Sequence, residues 1–385
     1  MPRLEDFSAV AHELSAFVAA EVTPHAAAID REQCIPVEIV HALARAGMFA
    51  SGFPEAFGGP GGDAEEAAIR HGLMHEALGA GSASVQGLVN VHHMAGSALA
   101  RWGTPAQKQR WLPALTSGEV LAGLAITEPN VGSDAAAVET TARAVGSDFV
   151  LNGIKTWITC GQSADVFVVL AKAEDGPAAF IVPRDTAGLS FERIDGMLGC
   201  RGYMLATLKF EECVVPGDAL LGKPRFGVTH VAATGLEWGR YNLAWGCVGL
   251  GRACLEASLD YTRSRSQFGN AISEHQLIQR MICRMMTDVE AARLLCFRAG
   301  SLRGRKDTEA VKETTMAKYF ASQMANRVAY DAVQIHGAAG CAPDSAVARA
   351  MRDARIMEII EGTSQVLEIA IARYGYQERA MQVRT

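Results

Sequence analysis

The sequence predicts an α+β protein: an N-terminal all-α domain (1–118), a middle antiparallel β-barrel domain (119–226) and a C-terminal four-helix bundle (227–385). Three observations predict it. Apolar residues recur at helical three- and four-residue steps as far as Ser117. Short β-rich runs separated by turn residues fill Val120–Val215, and long helical periods return after Val228.

Each element follows from local chemistry. Phe7, Val10, Leu14, Phe17 and Val18 form one buried helical stripe. A Gly/Pro-rich loop, Gly52 to Asp63, precedes helical runs at Ala64–Leu78 and Ser84–Trp102. Thr104-Pro105 opens another helix, with an N-cap threonine and proline at the first position. Strands are expected at Leu121–Ile126, Val138–Val145, Phe149–Leu151, Val166–Leu170, Ala178–Val182, Leu189–Ile194 and Leu205–Phe210. Asn152-Gly153 and Asp175-Gly176-Pro177 are expected as turns between them. Helices are expected near Gly235–Ser264, Glu274–Leu302, Glu309–Ile335 and Pro343–Met357.

The totals exclude several classes. A net charge of −6 without Lys/Arg tracts argues against a nucleic-acid partner. No run approaches the ~18 apolar residues of a membrane helix. Nine cysteines lacking any Cys-x-x-Cys pair read as thiols of a reducing compartment. With acids rather than bases at the start, the expected location is cytoplasmic. His71 and His75 lie four apart on one helix, but no third ligand is evident; they read as structural, and no metal is expected.

Five stretches carry chemistry. Leu124–Asp134 ends a strand in an open loop whose Thr127, Ser133 and backbone N–H groups can donate to a polar ligand edge. Trp157-Ile158-Thr159 could stack on and hydrogen-bond a planar cofactor; a core tryptophan is the blander alternative. Arg263–Gly269, followed by Glu274-His275-Gln276, offers Arg265 as a planar fork for a diphosphate. Gln334–Gly340 is rich in small residues that permit close backbone approach. Met351–Thr363 carries Arg352 and Arg355 and breaks at Gly362, leaving Glu361 between Ile359-Ile360 and a hydroxyl-bearing turn. A carboxylate against an apolar wall can serve as a general base; a solvated helix end is the alternative.

In this order and spacing the five stretches resemble the acyl-CoA dehydrogenase flavoprotein family over essentially the whole chain. The resemblance implies an FAD enzyme that converts an acyl-CoA to a trans-2-enoyl thioester. Glu361 would take the α proton while the β hydrogen leaves as hydride to flavin. Leu124, Ile126, Thr127, Gly132 and Ser133 would line the flavin, with Trp157, Ile158 and Thr159 covering it. Gly362, Thr363, Ser364 and Gln365 would also contact FAD. Arg265, Ser266, Gln267, Phe268, His275, Gln276, Gln334, Ile335, Gly337 and Ala338 would reach FAD in a neighbouring subunit, implying a homodimer or homotetramer. Glu237, Arg240, Ser133, Asn90, Met94 and Gly362 would join Glu361 at the substrate. An acceptor such as electron-transfer flavoprotein is implied. Some branches place the base where Gly239 stands here; glycine cannot act as one.

Departures bear on the substrate. Ile360 stands where many members have tyrosine, Cys160 where asparagine or serine is common, and Arg201-Gly202-Tyr203-Met204 replaces Arg-Ser-Ser. Asn90, His92, His93 and Met94 make a polar tunnel wall, so the acyl group is short or polar, or these residues face elsewhere. Residues 243–249 and 357–362 resemble a smaller branch acting on acyl carrier protein thioesters in polyketide extender-unit synthesis. Further alternatives are a flavin oxidase or monooxygenase of the same fold, and a scaffold that has lost FAD.

Overall fold

Side-chain caps start two of the helices, at Ala64 and Pro105, where the sequence places them. The computed structural model describes residues 4–382. Its N-terminal layer comprises α1 (Ser8–Glu21), α2 (Ala26–Glu32), α3 (Val37–Arg45), α4 (Ala64–Gly81), α5 (Ala83–Trp102) and α6 (Pro105–Ser117). Asp63 caps α4 by accepting from the backbone N–H groups of Glu65 and Glu66, at 2.9 and 3.0 Å. Thr104 and Gln107 close a reciprocal capping box on α6. α5 is buried along most of its length, which makes it a central helix of the molecule.

The β domain contains β1 (Ala122–Ala125), β2 (Thr141–Val145), β3 (Asp148–Ile158), β4 (Val166–Ala173), β5 (Gly176–Pro183), β6 (Leu189–Arg193), β7 (Ala206–Val215) and β8 (Leu220–Leu221). The strand order is β6-β7-β3-β2-β4-β5-β8, largely antiparallel, with β1 joined to β4 in parallel. Asn152-Gly153 is not the expected turn. It lies inside β3, where the ladder to β7 slips between Leu151 and Gly153. Gly153 sits at φ +147°, and a Cβ there would lie 2.6 Å from the Cα of Thr140. Only glycine fits that bulge, which bends the long strand.

The chain then turns helical. A short π-helical stretch (Gly227–Ala232) leads into α7 (Ala233–Ser264), and the hairpin β9 (Ser266–Gln267) and β10 (Asn270–Ala271) follows it. α8 (Gln276–Gly304), α9 (Ala310–His336), α10 (Ala346–Met357) and α11 (Ser364–Gln382) complete the fold. α7 packs against α4, α5, α8 and α9, with Tyr241 and Trp245 fully buried. One apolar core runs through the N-terminal helices and the β domain, and a second fills the C-terminal helices. α10 ties the layers together. Arg352 forms a two-pronged ion pair with Asp30 on α2, and Asp353 accepts the Cys200 N–H at 2.6 Å. Among the described residues no helix is long and apolar enough to cross a membrane.

The loop after β1 hangs on one buried ion pair. Glu128 accepts from Lys155 Nζ at 2.7 Å and from the N–H groups of Glu139 and Thr140 at 2.6 and 2.8 Å. Lys155 also donates to the Ile126 carbonyl at 2.9 Å. Neither side chain meets solvent. Burial pushes the Lys155 ammonium down to about 8, against the pull of Glu128. Replacing Lys155 by Met leaves the Glu128 carboxylate buried with its charge uncompensated, and the expected loss is about 3–5 kcal/mol. Chemical denaturation of wild type and Lys155→Met measures it.

Candidate active site

Where the three layers meet, a cavity of about 590 Å³ opens. β1 and β3 end at it: Leu124 of β1 is followed by Ile126 and Thr127 on the next loop, and Trp157 and Ile158 close β3 just before Thr159. Gly132 and Ser133 continue the first loop along the wall. α5 contributes Asn90 and Met94, α7 contributes Arg240, and the α10–α11 turn contributes Ile359, Ile360, Glu361, Gly362 and Thr363.

Trp157 is no core tryptophan. It sits at φ +59° and is 53% exposed, although large aromatic side chains usually bury themselves. A left-handed backbone at a bulky residue is a strained arrangement found mostly at functional sites.

The α10–α11 turn is built to hold Glu361. α10 ends at Met357, and Thr363 caps α11 by accepting the Val366 N–H at 3.3 Å. Between them Glu361 adopts φ +56° and Gly362 φ +92°. Two cations clamp the strained pair through backbone oxygens. Arg240 Nε donates to the Glu361 carbonyl at 3.1 Å, and Lys318 Nζ donates to the Gly362 carbonyl at 2.7 Å. Lys318 is fully buried, and burial lowers its ammonium to about 8.

The Glu361 carboxylate lies against Gly239 of α7. A Cβ at that glycine would stand 2.7 Å from the Glu361 Cδ, so no other residue type leaves the carboxylate its place. Glu361 is partly open to the cavity, but its Oε2 is sealed from solvent and has no hydrogen-bond partner. Desolvation raises its carboxyl to about 7, with Arg240 and Lys318 pulling the other way. Its position and its desolvation together describe a carboxylate poised to take a proton near neutral pH.

Other expected residues lie elsewhere. Glu237 does not line the cavity; it pairs with Arg303 at 3.1 Å. Arg265, Ser266, Gln267, Phe268, His275 and Gln276 lie on and beside the β9–β10 hairpin, where Phe268 is 95% exposed. Gln334, Gly337 and Ala338 are exposed at the end of α9, while Ile335 is buried in the C-terminal core. Ser364 is buried and donates to Glu358 at 3.3 Å; Gln365 is exposed. His92 and His93 face away from the cavity and bond the carbonyls of Leu115 and Phe49, both at 3.1 Å. Of the expected polar wall on α5, Asn90 remains.

His93 instead joins His71 and His75, with ligand atoms within 4.8 Å of one another. Burial keeps all three rings neutral, and Ser51 and Asn242 already occupy both nitrogens of His71.

The sequence reading missed Lys318 and did not place Tyr203 in the cavity wall. Lys318 shares one face of α9 with the buried Thr314, Ala321 and Ala325, and a lysine on an apolar stripe was the available signal.

Family models described as the N-terminal, middle and C-terminal domains of acyl-CoA dehydrogenase match residues 5–119, 123–213 and 228–375. The human short-chain specific acyl-CoA dehydrogenase, mitochondrial, is 36% identical over 362 residues, covering 92% of this chain and 86% of that protein. Three solved structures are similar in fold. One, from work on the electron transferring flavoprotein of Acidaminococcus fermentans, has a TM-score of 0.92 at 32% identity, covering 97% and 98% of the two chains. A glutaryl-CoA dehydrogenase from Mycobacterium smegmatis in complex with FADH2 has 0.91 at 27%, covering 96% and 94%. FkbI, described as serving biosynthesis of the methoxymalonyl extender unit of the polyketide Fk520, has 0.86 at 31%, covering 95% and 99%.

The titration of Glu361 carries a stability cost with a definite sign. Its folded value of about 7 exceeds the ordinary 4.5, so ionisation opposes folding increasingly between those two pH values and fully above them. Glu361→Gln removes that cost. The variant is expected to be more stable than wild type by about 3 kcal/mol at pH 8, with the gain fading towards pH 4.5. Unfolding midpoints measured across that range test it.

Proposed function

We propose, for a chain that belongs to the acyl-CoA dehydrogenase family and carries out acyl-CoA dehydrogenation, that Glu361 removes the α proton of a short acyl thioester. The observation that carries this reading is the Glu361 carboxylate itself. It is desolvated, unpartnered at Oε2, raised to about 7 and set in the wall of the cavity where the three layers meet. An α C–H beside a thioester is a weak acid, so its base must shed its own hydration before it can compete for the proton.

The family is FAD-dependent, and the residues present fit that cofactor. Thr127, Ser133 and Thr159 offer hydroxyl donors on the wall that Trp157 shares, while the base stands on the α10–α11 turn. Leu124, Ile126, Gly132, Ile158, Gly362 and Thr363 would complete the holding surface. FAD, when bound, supplies the acceptor for the β hydride.

The chain's own residues supply the rest. Arg240 and Lys318 hold the strained Glu361-Gly362 backbone, so the carboxylate meets the substrate in one orientation. The same two cations offset part of its desolvation, keeping it ionised near neutral pH. The exposed β9–β10 hairpin and the end of α9 would serve FAD in a neighbouring copy, which makes the working form a homodimer or homotetramer.

A short acyl-CoA is supported by the likeness to the human short-chain enzyme. Electron-transfer flavoprotein as acceptor is supported by the likeness to the Acidaminococcus structure. A cytoplasmic setting accords with nine unpaired cysteines. A second reading, a thioester of polyketide extender-unit biosynthesis, is favoured by the likeness to FkbI.

Anaerobic titration of the yellow protein with acyl-CoA esters tests the assignment. Wild type should lose its flavin band with one class of ester, whereas Glu361→Gln should bleach at least about a thousandfold more slowly. Full-speed bleaching by that variant would remove Glu361 from its role.

The pH dependence follows. The rate of flavin reduction should rise through about pH 7 as Glu361 ionises. Lys318→Met withdraws a cation that favours the carboxylate, so its midpoint should lie at higher pH. An unmoved midpoint would mean that Lys318 does not act on the base.

A further inference from the structure

Three pieces of the cavity wall hang on one pair of buried charges. The ladder of β1 to β4 ends at Ala125, so residues 126–128 leave the sheet. Each of the three is nonetheless fixed. The Ile126 carbonyl accepts from Lys155 Nζ, and the Thr127 carbonyl accepts from the Thr156 N–H at 2.9 Å. The Glu128 carboxylate accepts from Lys155 and from two backbone N–H groups. Glu128 and Val131 also exchange backbone hydrogen bonds, at 2.9 and 3.2 Å, and that closed turn delivers Gly132 and Ser133 to the wall.

The fastening points on the other side are neighbours on β3. The register of β3 to β7 slips a second time between Lys155 and Ile158, and in that gap the Thr156 N–H turns to Thr127. Trp157, Ile158 and Thr159 follow directly and line the same cavity. The two loops are thus tied to each other, and not only each to the sheet. Thr127 and Thr159 are partly exposed at the cavity, within reach of a bound molecule.

Two apolar residues of similar volume would pack a core about as well as a buried ion pair. They could not bond the Ile126 carbonyl and two N–H groups while staying dry. Resting on the fit of FAD to this cavity, we propose that Glu128 and Lys155 are positioning residues for the cofactor. They lock the 126–133 loop to the end of β3 before FAD enters, so both walls already stand in the arrangement that receives the flavin ring. Binding then has no loop to order, and a site spared that cost binds more tightly.

The discriminating variant combines Glu128→Gln with Lys155→Met. It removes both charges together, so no uncompensated charge stays buried, and its unfolding midpoint should remain near that of wild type. The bond to Ile126 is lost all the same. Flavin fluorescence on dilution of the FAD-loaded proteins should then show affinity weaker by about tenfold or more. The isoalloxazine ring is achiral, so its visible circular dichroism reports the walls around it. That signal should shrink in the double variant even at saturating FAD. Hydrogen exchange on the wild-type chain gives a second reading that needs no substitution. The N–H groups of Glu139, Thr140 and Thr156 should already be protected with FAD removed.

A double variant as stable as wild type, with FAD affinity and visible circular dichroism unchanged, overturns the positioning role. Exchange in which those N–H groups stay open until FAD binds overturns it as well, because the cofactor would then order the loop. A wild-type chain that takes up no FAD overturns the cofactor reading itself.

Discussion

A carboxylate can be desolvated only if the backbone that carries it is held by something else. At Glu361 that holding comes from Arg240 and Lys318, which bond the carbonyls of residues 361 and 362 rather than the carboxylate. The arrangement separates two tasks that conflict. A direct ion pair would fix the side chain but pull its proton affinity down, whereas clamping the backbone fixes it and leaves the carboxyl near 7. The clamp joins α7 and α9 to the turn before α11, so the C-terminal helices must pack correctly before the turn can hold its carboxylate.

The β domain solves a related problem with the opposite means. Its loop after β1 must stay open to a ligand, so it cannot be held by a sheet ladder. Glu128 and Lys155 hold it instead, as a fully buried pair satisfied by two backbone N–H groups and one carbonyl. Breaking such a pair is costly because the surviving charge stays buried. The bulge at Gly153 lies two residues before Lys155 on the same strand. Beyond the pair that strand carries Trp157, one residue before its end, whose left-handed backbone leaves the ring half in solvent at the cavity.

α5 serves two environments at once. Its Gly87, Asn90, Val91 and Met94 face the cavity, while His92 and His93 turn into the N-terminal core to bond carbonyls from α6 and from the loop after α3. Adjacent polar residues thus have unrelated roles, decided by the roughly 100° between successive side chains on a helix.

Periodicity and caps made the architecture legible in the sequence: the helical–β–helical order, the Thr104 capping box and the start of α4 at Asp63 are all local properties. The candidate base was legible only through the resemblance of the five stretches taken together, because a lone carboxylate before a glycine suits a solvated helix end as well. Asn152-Gly153 misled, since the same dipeptide suits a hairpin turn and a bulge, and only the partner strand β7 distinguishes them. Sequence alone could not tell that Gly239 makes room for Glu361, that Lys318 reaches the Gly362 carbonyl, or that Tyr203 crosses Gly87. Each of those contacts joins residues more than forty positions apart. Local propensity determined the elements and the chemistry available on them; packing of distant segments decided which groups lost their water, and so which could act.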